Sequence, residues 1–114
     1  MAYKIEFSDQ AEDDLFEIVD YLTESYRGFG ENVTEALARA GRRQEQIREQ
    51  AQRIATAPHR GERSLEYAPQ LRHLTLNRMI YWFEVDEASE TIRIIAVIFG
   101  AKDHLPAMQQ RLLG

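Results

Sequence analysis

Hydrophobic and polar positions divide the chain into six periodic segments and a short tail. Tyr3–Phe7 alternates, with Tyr3, Ile5 and Phe7 on one side and Lys4 and Glu6 on the other, the period of a half-buried strand. Beyond Ser8, the residues Ala11, Leu15, Ile18, Leu22 and Tyr26 recur at steps of three and four. That spacing predicts an amphipathic helix of about five turns. Ser8 is a good N-cap, and the acids that follow suit the positive end of the helix dipole. Arg27-Gly28-Phe29-Gly30 marks a turn. From about Glu31 to Ala57, Val33, Ala40, Ile47 and Ile54 repeat every seven residues, with Leu37, Gln44 and Ala51 between them. This narrow stripe predicts a second helix, roughly 40 Å long. Seven- to nine-residue strands span only about 23–30 Å, so one end of the helical hairpin is expected to overhang any sheet it covers.

Pro58 ends the second helix, and His59–Ser64 reads as an exposed loop. Three β-prone runs follow: Leu71–Leu76, Met79–Val85 and Thr91–Phe99. The connections are the pair Asn77-Arg78 and the polar turn Asp86–Glu90, short enough to predict an antiparallel meander. In the middle run, Met79, Tyr81, Phe83 and Val85 share one face, and Ile80 and Trp82 the other. The last run is apolar on both faces: Ile92, Ile94, Ala96 and Ile98 on one, Ile95, Val97 and Phe99 on the other. Such a strand wants a central place with material packed on each side. Leu105–Leu113 predicts a short terminal helix, with Pro106 in the first turn where proline is tolerated. The order is β-α-α-β-β-β plus a short C-terminal helix. It gives an α+β fold: a helical hairpin on a small antiparallel sheet, with the first strand joining at an edge.

Size and charge narrow this picture. One domain over residues 1–114 is the expectation for 114 residues. With no cysteine, a disulfide scaffold and thiol chemistry are excluded. No run approaches a membrane span and the first residues lack a leader pattern, so a cytoplasmic location without membrane contact is expected. The net charge is −5, and Asp9, Glu12, Asp13, Asp14, Glu17, Asp20 and Glu24 precede Arg27 without an intervening base. Most of these acids read as a solvated helix face. Together they would repel nucleic acid and attract a basic partner surface.

Candidate chemistry is sparse. His59, His73 and His104 show no metal-ligand spacing, no phosphate loop or nucleophile elbow is present, and no cofactor is expected. What stands out is a cationic set on the meander: Arg72, His73, Arg78, Lys102 and His104. Arginines there could hold phosphates. His73 and His104 are the candidates for general acid and base. Solvated arginines and a histidine at a sheet rim are the plainer reading. Tyr81 and Trp82 invite base stacking, although burial against the helices suits the Tyr81 face better.

The residues together resemble the RelE/ParE superfamily of toxins of bacterial type II toxin–antitoxin systems. The resemblance runs over nearly the whole chain. It lies in Tyr3-Lys4-Ile5-Glu6-Phe7-Ser8 with Ala11, Asp14-Leu15 and Ile18; in the helical hairpin ending at Pro58 with Gly61 behind it; in Leu71-Arg72-His73-Leu74 and Asn77-Arg78-Met79-Ile80-Tyr81; and in Ile92 to His104 with its closing Phe99-Gly100-Ala101-Lys102-Asp103. RelE-like members look like ribosome-dependent mRNA endonucleases, and ParE-like members poison DNA gyrase. Arg78 matches a catalytic arginine of the ribonuclease branch, yet an arginine is common there in the other branch too. The ribonuclease branch usually ends its last strand on a catalytic His or Tyr. Ile98-Phe99-Gly100-Ala101 supplies neither. Ribonuclease members also tend to be strongly basic.

The resemblance therefore implies a ParE-like toxin, of the kind linked to plasmid stabilization, that inhibits gyrase. A RelE-type endonuclease using Arg72, Arg78 and His73, with His104 or Lys102, is the alternative. Arg72, Arg78, Lys102 and His104 are the candidates for binding the target, gyrase or ribosome. The implied partner is a cognate antitoxin, through which alone operator DNA would be met. Leu15, Ile18, Leu22, Val33, Leu37, Ala40 and Ile47 are the candidates for its docking groove.

Overall fold

A computed structural model describes residues 3–63, 68–100 and 104–113. The elements are β1 (Lys4–Phe7), α1 (Asp9–Gly28), α2 (Val33–Ala55), β2 (Leu71–Leu76), β3 (Met79–Asp86), β4 (Thr91–Phe99) and α3 (His104–Leu113). The α+β order β-α-α-β-β-β with a C-terminal helix is as the patterning predicts. Ser8 caps α1 by accepting from the Ala11 N–H, and Asn32 caps α2 by accepting from the Glu35 N–H. At 23 residues, α2 is roughly 34 Å long, shorter than the predicted Glu31–Ala57 span because Asn32 and Thr56 are its caps.

The sheet has the order β1-β4-β3-β2. The doubly apolar β4 is central. The β2–β3–β4 meander is antiparallel, and β1 adds at the edge of β4, but in parallel. The sheet is therefore mixed: a crossover through the whole hairpin and meander separates β1 from β4. Asn77 and Arg78 both have positive φ, 48° and 71°, the conformation of a two-residue hairpin turn that follows the strand twist.

One detail departs from the simple alternation. Trp82 pairs with Ala96 but Phe83 pairs with Ile94, so Ile95 is an extra residue on β4. This bulge reverses the phase of the strand. Ile92 and Ile94 share their face with Val97 and Phe99, toward the hairpin, whereas Ile95, Ala96 and Ile98 face the other way. A strand apolar on both sides conceals such a shift.

Two cores result. Beneath the hairpin, Leu15, Ile47 and Ile54 meet Met79, Tyr81, Phe83, Ile92 and Ile94. Each large side chain buried here contributes about 1.5–3 kcal/mol. Fully buried Ala11, Ala36, Ala40 and Ala51 let the helices approach closely. The Tyr81 hydroxyl donates to the Ile47 carbonyl at 2.8 Å, tying sheet to helix. On the opposite face, α3 lays Met108 over Ile80, Trp82 and Ala96.

β1 covers only Thr91–Ile94 of β4. Past that point the edge is closed by side chains. The Asp14 carboxylate accepts from the Val97 N–H at 2.9 Å, and Arg111 donates to the Ile95 carbonyl at 2.9 Å. Arg111 and Asp14 also join each other through two contacts, 2.7 and 2.9 Å. Asp14 is thus a buried structural group, not part of a solvated helix face.

Candidate functional site

The cationic residues of the meander fall into separate places. Along β2 side chains alternate: His73 joins Trp82 on the α3 face, while Leu74 and Leu76 belong to the hairpin core. Arg72, on the hairpin side, donates to the His59 carbonyl at 3.0 Å and braces the loop after α2.

His73 and His104 do come together. Their ring centroids are 4.9 Å apart, and both rings lie against Trp82 at 4.5 and 5.5 Å. The Trp82 Nε1–H donates to His104 Nδ1 at 3.1 Å. Indole can only donate, so this contact fixes His104 Nδ1 as the acceptor. Glu62 is 3.8 Å from His73 Nε2. Burial, and then the neighbouring His104, hold the His73 pKa below its ordinary value, with Glu62 acting in the opposite direction. Trp82 itself is fully buried, which leaves no ring face for a nucleic-acid base.

Arg78 lies in the β2–β3 turn, four residues before Trp82, the residue opposite His73, and so at most about 13 Å along the strand from His73. Its backbone is held by Gly100, whose N–H donates to the Arg78 carbonyl at 2.7 Å. A Cβ on Gly100 would sit 2.9 Å from that oxygen, so only glycine lets the end of β4 close over the turn. Arg43 arrives from α2. Its Nη2 donates to the Asn77 carbonyl at 2.9 Å, and its buried Nη1 has no hydrogen-bond partner among the described residues. Arg43, Thr75, Arg78, Phe99 and Gly100 line a cleft of about 620 Å³. Two guanidinium groups and a hydroxyl suit an anion. Sequence reasoning missed Arg43. It sits one position before the polar seam residue Gln44, with no local sign that it would reach the turn.

Among the described residues, no group of three His, Cys, Asp or Glu could hold a metal ion. No described helix is long and apolar enough to cross a membrane. Lys102 lies outside the described residues. Of the candidate docking residues, Leu15, Ile18 and Ile47 are buried in the core beneath the chain's own sheet, Ala40 is buried and Leu22 is half-buried; Val33 and Leu37 are exposed near the hairpin tip.

No family model matches the chain, and no curated protein matches it. Solved structures do. The toxin–antitoxin complex RelBE2 from Mycobacterium tuberculosis aligns with a TM-score of 0.63 at 15% identity, over 90% of this chain and 95% of that one. The chromosomal ParDE system from P. aeruginosa gives 0.64 at 21% identity, over 86% and 96%. A mutant of E. coli toxin RelE in the free state gives 0.59 at 12% identity, over the full length of both chains. The chain has the RelE/ParE toxin fold. Both branch names occur among these neighbours, so the fold is common ground between gyrase-directed and ribosome-directed readings. The distinction falls to the side chains.

Proposed function

We propose that the chain is the toxin of a type II toxin–antitoxin pair and acts by binding, with DNA gyrase as its target. One observation carries the binding mode. The two histidines sit with buried Trp82 on the α3 face, while Arg43 reaches the Arg78 turn from the hairpin face. Metal-free RNA cleavage needs phosphate-holding and proton-transferring groups converging on one point. Among the described residues they lie apart: the cleft lined by Arg43, Thr75, Arg78, Phe99 and Gly100 includes neither histidine. The end of β4 at Ile98-Phe99-Gly100 adds no titratable group, and a net charge of −5 disfavours a polyanionic substrate. Inducing the chain in cells, with mRNA integrity and plasmid supercoiling followed in parallel, tests the proposal. Supercoiling should collapse while mRNA stays intact.

The ribosome-dependent endonuclease reading rests on the cleft that Arg43 shares with Arg78, which could grip a phosphate. In that case Arg78→Ala abolishes toxicity and mRNA cuts appear at the ribosomal A site. Loss of toxicity in Arg78→Ala without any mRNA cut returns the residue to target binding.

A further inference from the structure

Among the described residues, α3 is fastened to the body of the protein at three points. Met108, its buried residue, lies over Ile80, Trp82 and Ala96. Arg111, near its far end, holds Asp14 and the Ile95 carbonyl. At its first residue, His104 Nδ1 accepts from the indole N–H of buried Trp82 at 3.1 Å. We propose that this last contact is an acid-sensitive latch: protonation of the His73–His104 pair frees the first turn of α3 from Trp82, while the Arg111 end stays in place.

The latch closes only on a neutral imidazole. Nδ1 accepts while it carries no proton. Once protonated it becomes a donor, as the indole N–H already is. Donor then faces donor, and the indole N–H is left buried without a partner. His73 adds to the effect. Its ring lies 4.9 Å from that of His104 and 4.5 Å from that of Trp82, so protons on both histidines set like charges side by side. His104 is also the first residue of α3, where the helix dipole opposes a cation. No acid stands in the first turn of that helix to offset the charge.

The other charges around the pair do little to hold it closed. Glu62, from the loop before β2, approaches His73 Nε2 at 3.8 Å, but its side chain is 82% exposed and water screens it. On β3, the next residue on the Trp82 face is Glu84, which stands opposite Arg93 of β4. Farther along β4, Ile95, Ala96 and Ile98 reach this face, and none of them titrates. Glu66, Lys102 and Asp103 lie outside the described residues. Burial, and then His104, hold the His73 pKa below its ordinary value against the pull of Glu62. The closed arrangement therefore resists the proton, and the opened one takes it up. The latch is complete above about pH 6.5, the ordinary histidine value, and is lost as the pH falls below it.

The chain has no cysteine and a single tryptophan, so one bimane label on the full chain has one indole, Trp82, to quench it at close range. Leu105→Cys carries the label on the exposed first turn of α3, and Gln110→Cys carries it on an exposed site beside Arg111. As the pH is lowered from about 8 to 5, the label at 105 should brighten with a midpoint below about 6.5, with the far-UV circular dichroism unchanged. The label at 110 should brighten less. His104→Asn keeps a carbonyl that can accept from the indole but takes up no proton, so the label at 105 should stay dark across the range. His104→Ala removes the acceptor and should leave that label bright at both ends of the range. No brightening at 105, brightening that only tracks loss of the circular dichroism signal, equal brightening at 105 and 110, or an unchanged response in His104→Asn overturns the proposal.

Discussion

Arg111 on the last helix and Asp14 on the first close a two-pronged ion pair, and each also takes one backbone group of β4. The pair stands where β1 stops covering the central strand. It therefore replaces a missing strand and pins α3 to the body of the protein. Asp14→Ala strips the acceptor from Val97 N–H and leaves Arg111 unpaired, at a cost of about 2–4 kcal/mol. Arg111→Ala should cost less, because its side chain is more exposed than that of Asp14, 25% against 10%. The double variant should cost clearly less than the sum of the two, because the residues share one interaction. Urea denaturation of the three variants checks this.

The histidine pair predicts acid sensitivity. His73 is held below its ordinary pKa by burial and by His104, so the unfolded chain takes up the proton first. Its stabilising contribution is complete above about pH 6.5, the ordinary histidine value, and is lost as the pH falls below it. Trp82 is the sole tryptophan and touches both rings, so its fluorescence reports the change. Emission should shift as the pH falls below about 6.5, the ordinary histidine value, and His73→Gln should flatten the transition.

Tyr81 predicts the opposite limb. Burial pushes its pKa up to about 12, against the pull of nearby Arg43. The folded chain keeps its proton longer than the unfolded one, so stability falls as the pH rises above about 10 toward the folded value. Tyr81→Phe should lose about 1 kcal/mol at neutral pH, through the Ile47 carbonyl contact. It should also lose part of the alkaline transition measured by circular dichroism.

Gly61 holds φ at +93°, and a Cβ there would lie 2.7 Å from the His73 carbonyl oxygen. Glu62 pairs with His73 through two backbone hydrogen bonds, each 3.0 Å, so the loop cannot simply move away. Gly61→Ala should cost about 2 kcal/mol or more through strain and clash together, seen as a lowered thermal midpoint.

Much of the fold was legible because each element carried its own period. Ala11 to Tyr26 announced a helix, Asn77-Arg78 a tight turn, and the doubly apolar Thr91–Phe99 run a central strand. The bulge at Ile95 was not, since every neighbour of Ile95 is apolar and a phase shift leaves no mark in such a run. The docking groove was over-drawn for a related reason. Leu15, Ile18, Ala40 and Ile47 carry a stripe that suits a partner helix as well as the chain's own sheet, and periodicity does not say which surface fills it. The site was legible only in pieces. Arg78 and the histidines stood out by type, but Arg43 and the Asp14–Arg111 pair depend on contacts across 34 and 97 positions, which no local pattern encodes.

The central claim is that the chain acts on gyrase by binding and does not cut RNA. Titrating the purified chain into a DNA gyrase supercoiling reaction tests it most directly, with relaxed and cleaved plasmid resolved on one gel. The binding reading predicts loss of supercoiling together with accumulation of gyrase-linked DNA breaks, and release of both on adding the antitoxin. Undiminished supercoiling at saturating protein, alongside cleavage of ribosome-bound mRNA by the same preparation, contradicts it.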